Sequence, residues 1–203
     1  MSYLNQNINK FAEYPFTRLR SLLSRDIKIK ETKILDLSIG QPHHKFPSFV
    51  KKILSAENSK WNLYPPIKGI PILRNAYLKW LQTRFSLKKS FFNDENILPL
   101  SGTREGLFSI SLALSVKQII VPNPFYQVYL GASLFNNVPL VFLNTGQKEN
   151  YLLDLEKLQN KIKNKTSLIY FCNPSNPQGK CASSDYLQKL ISLVRKNNSI
   201  LVL

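Results

Sequence analysis

No stretch of this sequence is apolar for long enough to span a bilayer, so a membrane helix and a membrane partner are not expected. The first residues, Met1-Ser-Tyr-Leu-Asn-Gln-Asn7, lack the basic start and apolar run of a signal peptide, which points to a soluble, cytoplasmic protein. Cysteine is nearly missing. Cys172 and Cys181 stand without CxxC spacing and without a histidine cluster, so reduced thiols are expected rather than a disulfide or a zinc site. Acidic residues are scarce too: 12 Asp plus Glu face 28 Lys plus Arg, a formal net charge of +16. No internal repeat and no low-complexity linker stands out.

What remains is the material of a globular core. Apolar residues make up 43% of 203 positions, and 12 Phe and 9 Tyr argue against disorder. A positive excess of this size can signal nucleic acid or an acidic membrane. Here the lysines are scattered, as in Lys28, Lys30 and Lys33, Lys51 and Lys52, or Lys161, Lys163 and Lys165, and no aromatics interleave with a basic stripe. No nucleic-acid partner is expected on that pattern, and an anionic substrate and cofactor would suit the charge.

One stretch organises the rest. Asn96-Ile-Leu-Pro-Leu100 reads as an apolar strand that breaks at Ser101-Gly102-Thr103, and a helical pattern begins at once with Leu107, Ile110 and Leu114. Such a turn aims unpaired N–H groups and the positive end of a helix dipole at one point, which suits a phosphate. Arg104 in the first turn faces the wrong end of the dipole unless an anion sits there as well. The alternative is an ordinary helix start, with Ser101 or Thr103 as cap and Glu105 complementing the dipole.

Around this stretch the chain alternates strand and helix patterns. An arm is followed by a short helix carrying Phe16, Leu19, Leu22 and Leu23, with Tyr14-Pro15 before it. Lys33–Ile39 alternates like a strand and ends at Gly40-Gln-Pro42, and His43-His44 follow in the same loop, with no further ligands for a metal. Pro47 to about Glu57 is a short helix. Pro71 stands at the first position of another, whose Leu73, Ala76, Tyr77, Trp80, Leu81 and Phe85 share one face and read as core. Strands are expected at Gln118–Val121, Pro139–Leu143, Ser167–Phe171 and Ser199–Leu203. Helices are expected after Pro122-Asn-Pro-Phe-Tyr126, over Asp154–Ile162, and after a cap at Ser183 or Ser184. This alternation predicts an α/β fold with a mostly parallel sheet and helices on both faces. Ligands of such sheets gather at the carboxyl ends of the strands, where the Gly102 turn, the Tyr126 loop and the Asn176 loop are all expected. An apolar strand with nothing after Leu203 reads as the front part of a longer protein.

Four motifs stand in one order: Ile39-Gly-Gln-Pro42, Tyr64 with Gly69 and Leu73-Arg74, Ser101-Gly-Thr-Arg-Glu-Gly106, and Asn173-Pro-Ser-Asn-Pro-Gln-Gly179. With Asn123-Pro-Phe-Tyr126 they closely resemble the class I/II, fold type I aminotransferases that use pyridoxal 5′-phosphate. The runs Tyr14–Leu23, Thr103–Phe108 and Pro122–Tyr129 look most like the succinyldiaminopimelate aminotransferases of lysine biosynthesis. The resemblance implies that Gly102, Thr103 and Arg104 hold the cofactor phosphate, that Tyr126 stacks on the pyridine ring, and that Asn176 donates to the ring's 3-oxygen. It implies that Gly40 brings backbone to the substrate carboxylate and that Tyr64 reaches the phosphate of a neighbouring subunit, hence a homodimer. It also implies residues 1–40 as arm and small-domain segment and 41–203 as the first part of the cofactor-binding large domain. Gln178 departs from the family's usual Thr in Asn-Pro-Thr-Gly.

The implied reaction moves an amino group between glutamate/2-oxoglutarate and an amino/keto acid, N-succinyl-diaminopimelate above others. Transamination needs a lysine as Schiff-base partner and proton shuttle, an Asp at the pyridine nitrogen and an Arg for the substrate carboxylate. The resemblance puts all three beyond Leu203, so no catalytic residue is expected in this chain, which would be inactive alone. The alternatives are another amino-acid aminotransferase, a carbon–sulfur lyase of the same fold, or a phosphate-binding fragment without catalysis.

Overall fold

Four short runs rich in β-branched and aromatic residues set the frame: β1 (Gln118–Asn123), β2 (Leu140–Asn144), β3 (Ser167–Tyr170) and β4 (Ile200–Val202). The computed structural model describes residues 3–11, 13–26, 35, 37, 40–88 and 90–203. The strands form one parallel sheet in the order β2-β1-β3-β4, with Ile119 opposite both Leu140 and Leu168, and Ile169 opposite Leu201. The chain divides into two compact units, Met1–Tyr14 with Leu100–Leu203, and Pro15–Pro99.

The sheet unit has a helix layer on each face. The helices are α4 (Thr103–Leu112), α5 (Val128–Asn136), α6 (Leu155–Ile162) and α7 (Ser184–Lys196). Successive strand residues point to opposite faces. Ile120, Ile169 and Phe171 therefore pack with Leu158 and Ile162 of α6 and Leu190 and Val194 of α7. Ile119, Val121, Leu168 and Tyr170 pack on the other face with Tyr129 and Ala132 of α5, and with Leu107, Phe108 and Ile110 of α4. Both strand faces are buried, which is why β1 and β3 read as unbroken apolar runs. Asp154 caps α6 by accepting from the N–H groups of Glu156 and Lys157, each at 3.0 Å, and Ser183 caps α7 through the N–H of Tyr186. The N-terminal arm docks on α5, where Asn7 Nδ2 donates to Leu134 O at 2.8 Å and Phe11 meets Phe135 with centroids 6.0 Å apart.

The second unit holds α1 (Pro15–Asp26), α2 (Ser48–Ala56) and α3 (Pro71–Phe85). Pro71 stands at the start of α3, as its fixed φ and missing N–H favour. Arg74, 7% exposed, is clamped by Asp94 Oδ2 at 3.3 Å and Glu95 Oε1 at 3.1 Å, and Lys68 also binds Glu95 at 2.7 Å. These two cations hold the Glu95 carboxyl below the usual carboxylate range, the Lys68 hydrogen bond first. Gly69 turns with φ 79° against Pro99.

Two expectations change, and a third lies largely outside the described residues. The α3 face of Leu73, Tyr77, Trp80 and Phe85 is not core: all four are exposed, Trp80 at 54%. Its rings meet mainly each other, Tyr77 with Trp80 and Trp80 with Phe85, because no described residue of its unit forms a second layer over them. Ile97–Leu100 forms no strand; the chain is extended at Ile97, and the segment joins no ladder among the described residues. The strand expected over Lys33–Ile39 falls largely outside the described residues.

Candidate functional site

Because the strands are parallel, β1, β2 and β3 deliver three loops to one edge of the sheet. Asn123, Thr145 and Asn173 open these loops. The first two are tied together: Thr145 donates its N–H and its hydroxyl to Asn123 O at 3.0 and 3.1 Å, and Asn123 Nδ2 donates to Asn144 Oδ1 at 3.0 Å. The β3 loop is cross-braced by Ser175 N to Lys180 O at 2.8 Å, Gly179 N to Ser175 O at 2.7 Å and Ala182 N to Asn173 Oδ1 at 2.9 Å. The first and third loops carry Tyr126 and Asn176 on fixed backbone.

The start of α4 lies against the β1 loop. Gly102 is its N-cap with φ 142°, a backbone shape that favours glycine, and no side chain caps the helix. Neither Ser101 nor Thr103 takes the capping role. Glu105 instead turns back, its Oε2 accepting the Ser101 N–H at 2.8 Å. The first amides of α4 therefore stay open to an external acceptor. Arg104, in that same turn, donates its Nε–H to Tyr126 Oη at 2.6 Å, and its guanidinium lies 5.7 Å from the Tyr126 ring centroid. Ser101, Gly102, Arg104, Glu105, Phe108 and Val128 line an open hollow of about 470 Å³ there.

Tyr126 is 38% exposed and rests edge-on against Tyr129, with centroids 5.9 Å apart. Tyr129 stacks in turn on Tyr170 at 4.1 Å and 15°. Burial pushes both buried phenols up to about 12; Cys172 and Tyr126 add to the effect at Tyr129, and Tyr129 adds to it at Tyr170. Tyr170 Oη nevertheless finds a partner, donating to Leu107 O at 2.5 Å, which fixes α4 to the sheet. The exposed Tyr126 ring thus sits on a rigid stack of two buried ones.

Asn176 is exposed, and its side-chain amide bonds nothing among the described residues. It lines a narrow hollow with Pro124, Thr145, Tyr151 and Cys172. The structure thus brings Gly102, Thr103, Arg104 and Tyr126 together directly, and Asn176 shares a hollow with the Tyr126 loop. Thr145 and Tyr151 escaped the sequence reading; the sequence signal was the Asn144-Thr145-Gly146 turn closing β2. Gly40 and Tyr64 belong to the second unit, where both are exposed, Tyr64 at 101%, and nothing lies within 4 Å of the Gly40 Cβ position.

These groups suit a phosphorylated aromatic ligand: open helix-start amides and a guanidinium for the anion, an exposed ring for stacking, and a free amide for a ring oxygen. A parallel sheet covered on both faces, with such a constellation at its carboxyl edge, has the architecture of the α/β proteins whose ligands gather outside the strand ends. Residues 32–203 match the aminotransferase class I and II family, and the chain belongs to that family. Membership implies pyridoxal 5′-phosphate. An LL-diaminopimelate aminotransferase of Dehalococcoides mccartyi (strain CBDB1) is 28% identical over 199 residues, covering 96% of this chain and 50% of that protein. A probable aspartate aminotransferase of Methanocaldococcus jannaschii is 29% identical over 171 residues, covering 83% and 44%. A solved aminotransferase from Neisseria meningitidis superposes with a TM-score of 0.86 at 29% identity, covering 98% of this chain and 51% of that one. The chain spans about half the length of the relatives it matches.

Proposed function

We propose that this chain supplies the phosphate- and ring-binding part of a pyridoxal-phosphate aminotransferase acting on a diaminopimelate-type amino acid, with N-succinyl-diaminopimelate as the substrate and glutamate/2-oxoglutarate as the other amino/keto pair. The observation that carries the reading is the uncapped start of α4, where Arg104 lies against Tyr126. Pyridoxal 5′-phosphate, when bound, supplies an electron sink for the substrate α-carbon. The open amides of Gly102 and Thr103 and the Arg104 guanidinium hold its phosphate. Tyr126 covers one face of the ring, and Asn176 donates to the ring oxygen. Gly40 offers backbone to the substrate carboxylate, and Tyr64 reaches the phosphate of a second subunit in a cytoplasmic homodimer. Residues 1–40 act as arm and small-domain segment, and 41–203 as the first part of the large domain.

A second substrate reading has its own support. LL-diaminopimelate aminotransferases recur among the relatives, which favours free LL-diaminopimelate over the succinylated form. The test is amino transfer to 2-oxoglutarate by the full-length, cofactor-loaded protein, with N-succinyl-LL-diaminopimelate, LL-diaminopimelate and aspartate compared by kcat/KM. Preference for the first sustains the proposal, preference for the second moves it to the free diamino acid, and transfer from aspartate alone overturns the substrate class.

A further inference from the structure

The carboxylates around the sheet gather at one edge, whereas cations stand at both. Between Leu100 and Leu203 the five Asp and Glu side chains all sit at the carboxyl edge: Glu105, Asp154, Glu156 and Asp185 at helix starts, Glu149 in the turn after β2. The opposite, amino edge holds Lys117 before β1, Lys161 at the end of α6, Lys163 and Lys165 between α6 and β3, and Arg195 and Lys196 at the end of α7. None of these six cations pairs with a carboxylate among the described residues. Complementing helix dipoles accounts for Lys161, Arg195 and Lys196, which stand in last turns, and for Lys163 at the α6 C-cap. It does not account for Lys117 and Lys165.

Four of these lysines surround one hollow of about 570 Å³, together with Gln118 and Asn160. The backbone that carries them is pinned. Gln118, 5% exposed, donates its side-chain amide to Lys161 O at 2.7 Å and to Ser167 Oγ at 2.9 Å. Ser167 Oγ donates to Lys165 O at 3.0 Å, Lys117 N to Thr166 O at 2.8 Å, and Lys165 N to Ile162 O at 3.0 Å. Asn164 takes a left-handed φ of 59° and reverses the chain between Lys163 and Lys165. Buried and half-buried hydrogen bonds thus hold the backbone from which four lysines line one hollow, an arrangement of like charges that an anion relieves.

We infer that this hollow binds a small multi-phosphate anion, a free polyphosphate or the phosphate chain of a nucleotide. Four separate ammonium groups match a ligand whose negative oxygens are spread along a chain, and lysine meets phosphate as a point charge. No ring lines the hollow, so a nucleic-acid base has nothing to stack on. The inference is independent of the cofactor site, which lies at the other edge of the sheet.

The test is isothermal titration of the 203-residue chain with sodium tripolyphosphate at two NaCl concentrations. Saturable binding is expected, weaker at higher salt. Lys163→Gln with Lys165→Gln is expected to lower the affinity about tenfold or more, while Lys79→Gln with Lys148→Gln, an equal loss of charge elsewhere, leaves it within about twofold. Arg104→Gln separates the two anion sites: retained affinity supports the lysine hollow, and lost affinity overturns it. Absence of binding, or equal weakening by both lysine pairs, also overturns it. ATP binding as tightly as tripolyphosphate identifies the nucleotide source, and much weaker binding the free polyphosphate. A single-stranded oligonucleotide that binds more tightly than either overturns the small-ligand inference.

Discussion

Arg104 donates its Nε–H to the phenolic oxygen of Tyr126 across 2.6 Å, from the first turn of a helix that nothing caps. This contact joins the two halves of the proposed cofactor cradle, the part that meets phosphate and the part that meets the ring. The cation faces the positive end of the α4 dipole, an unfavourable position that an anion at the same point would reverse. Among the described residues Nε alone is engaged, which leaves the terminal nitrogens of the guanidinium to a phosphate.

Tyr126 is proposed to act through its ring rather than its hydroxyl. Tyr126→Phe is expected to leave the affinity for pyridoxamine 5′-phosphate within about threefold, whereas Tyr126→Ala lowers it about tenfold, the scale of one aromatic contact. Fluorescence titration measures both, and this ligand has no aldehyde to react with surface lysines. Equal losses in the two variants would assign the effect to the hydroxyl instead.

Asp154 accepts two N–H groups at the start of α6, whose Leu158 and Ile162 are fully buried. Asp154→Ala is expected to destabilise the chain by about 1 kcal/mol. Urea unfolding should show a lower midpoint with an unchanged slope; a change of slope would indicate altered compactness rather than a lost cap.

Gly69 and Gly179 both have positive φ, 79° and 71°, but only at Gly69 would a Cβ strike a neighbour, Pro99 Cγ at 2.5 Å. Gly179→Ala is expected to cost about 1 kcal/mol for backbone strain, and Gly69→Ala at least about 1 kcal/mol more. Paired unfolding curves compare them, and equal losses would show that Pro99 gives way freely.

The buried phenols predict the alkaline limit of stability. Burial pushes Tyr129 and Tyr170 up to about 12, and raises Tyr186 as well. In the unfolded chain these groups release their protons near 10. The folded form thus holds more protons above that point, so the contribution of these phenols to stability is fully present below about pH 10 and is lost as pH rises towards 12. Ultraviolet titration of the 9 tyrosines should show a late-ionising group in the folded protein. Ionisation of all of them together near pH 10, with the fold intact, would contradict the buried stack.

The sheet was readable in advance because β1 and β3 are buried on both faces and leave an unbroken apolar signature, and α6 and α7 because Asp154 and Ser183 mark their starts. The α3 face misled, since periodicity reports an apolar stripe but not whether anything covers it. Ile97–Leu100 misled for a related reason: strand-like composition does not supply a pairing partner. The motif Ser101–Gly106 pointed to a phosphate, yet the meeting of Arg104 with Tyr126, 22 residues on, depends on how α4 lies against the β1 loop. The turn of Glu105 towards Ser101 was hidden likewise, because a first-turn acid serves the dipole or the backbone equally well by sequence.

The most direct test is calorimetric titration of pyridoxamine 5′-phosphate into the wild-type chain and into Arg104→Gln. Saturable binding to the wild type is expected, with at least about tenfold weaker binding to the variant and a smaller difference for pyridoxamine without phosphate. Equal affinities of the two chains for the phosphorylated ligand would contradict the assignment of the α4 start as its phosphate cradle.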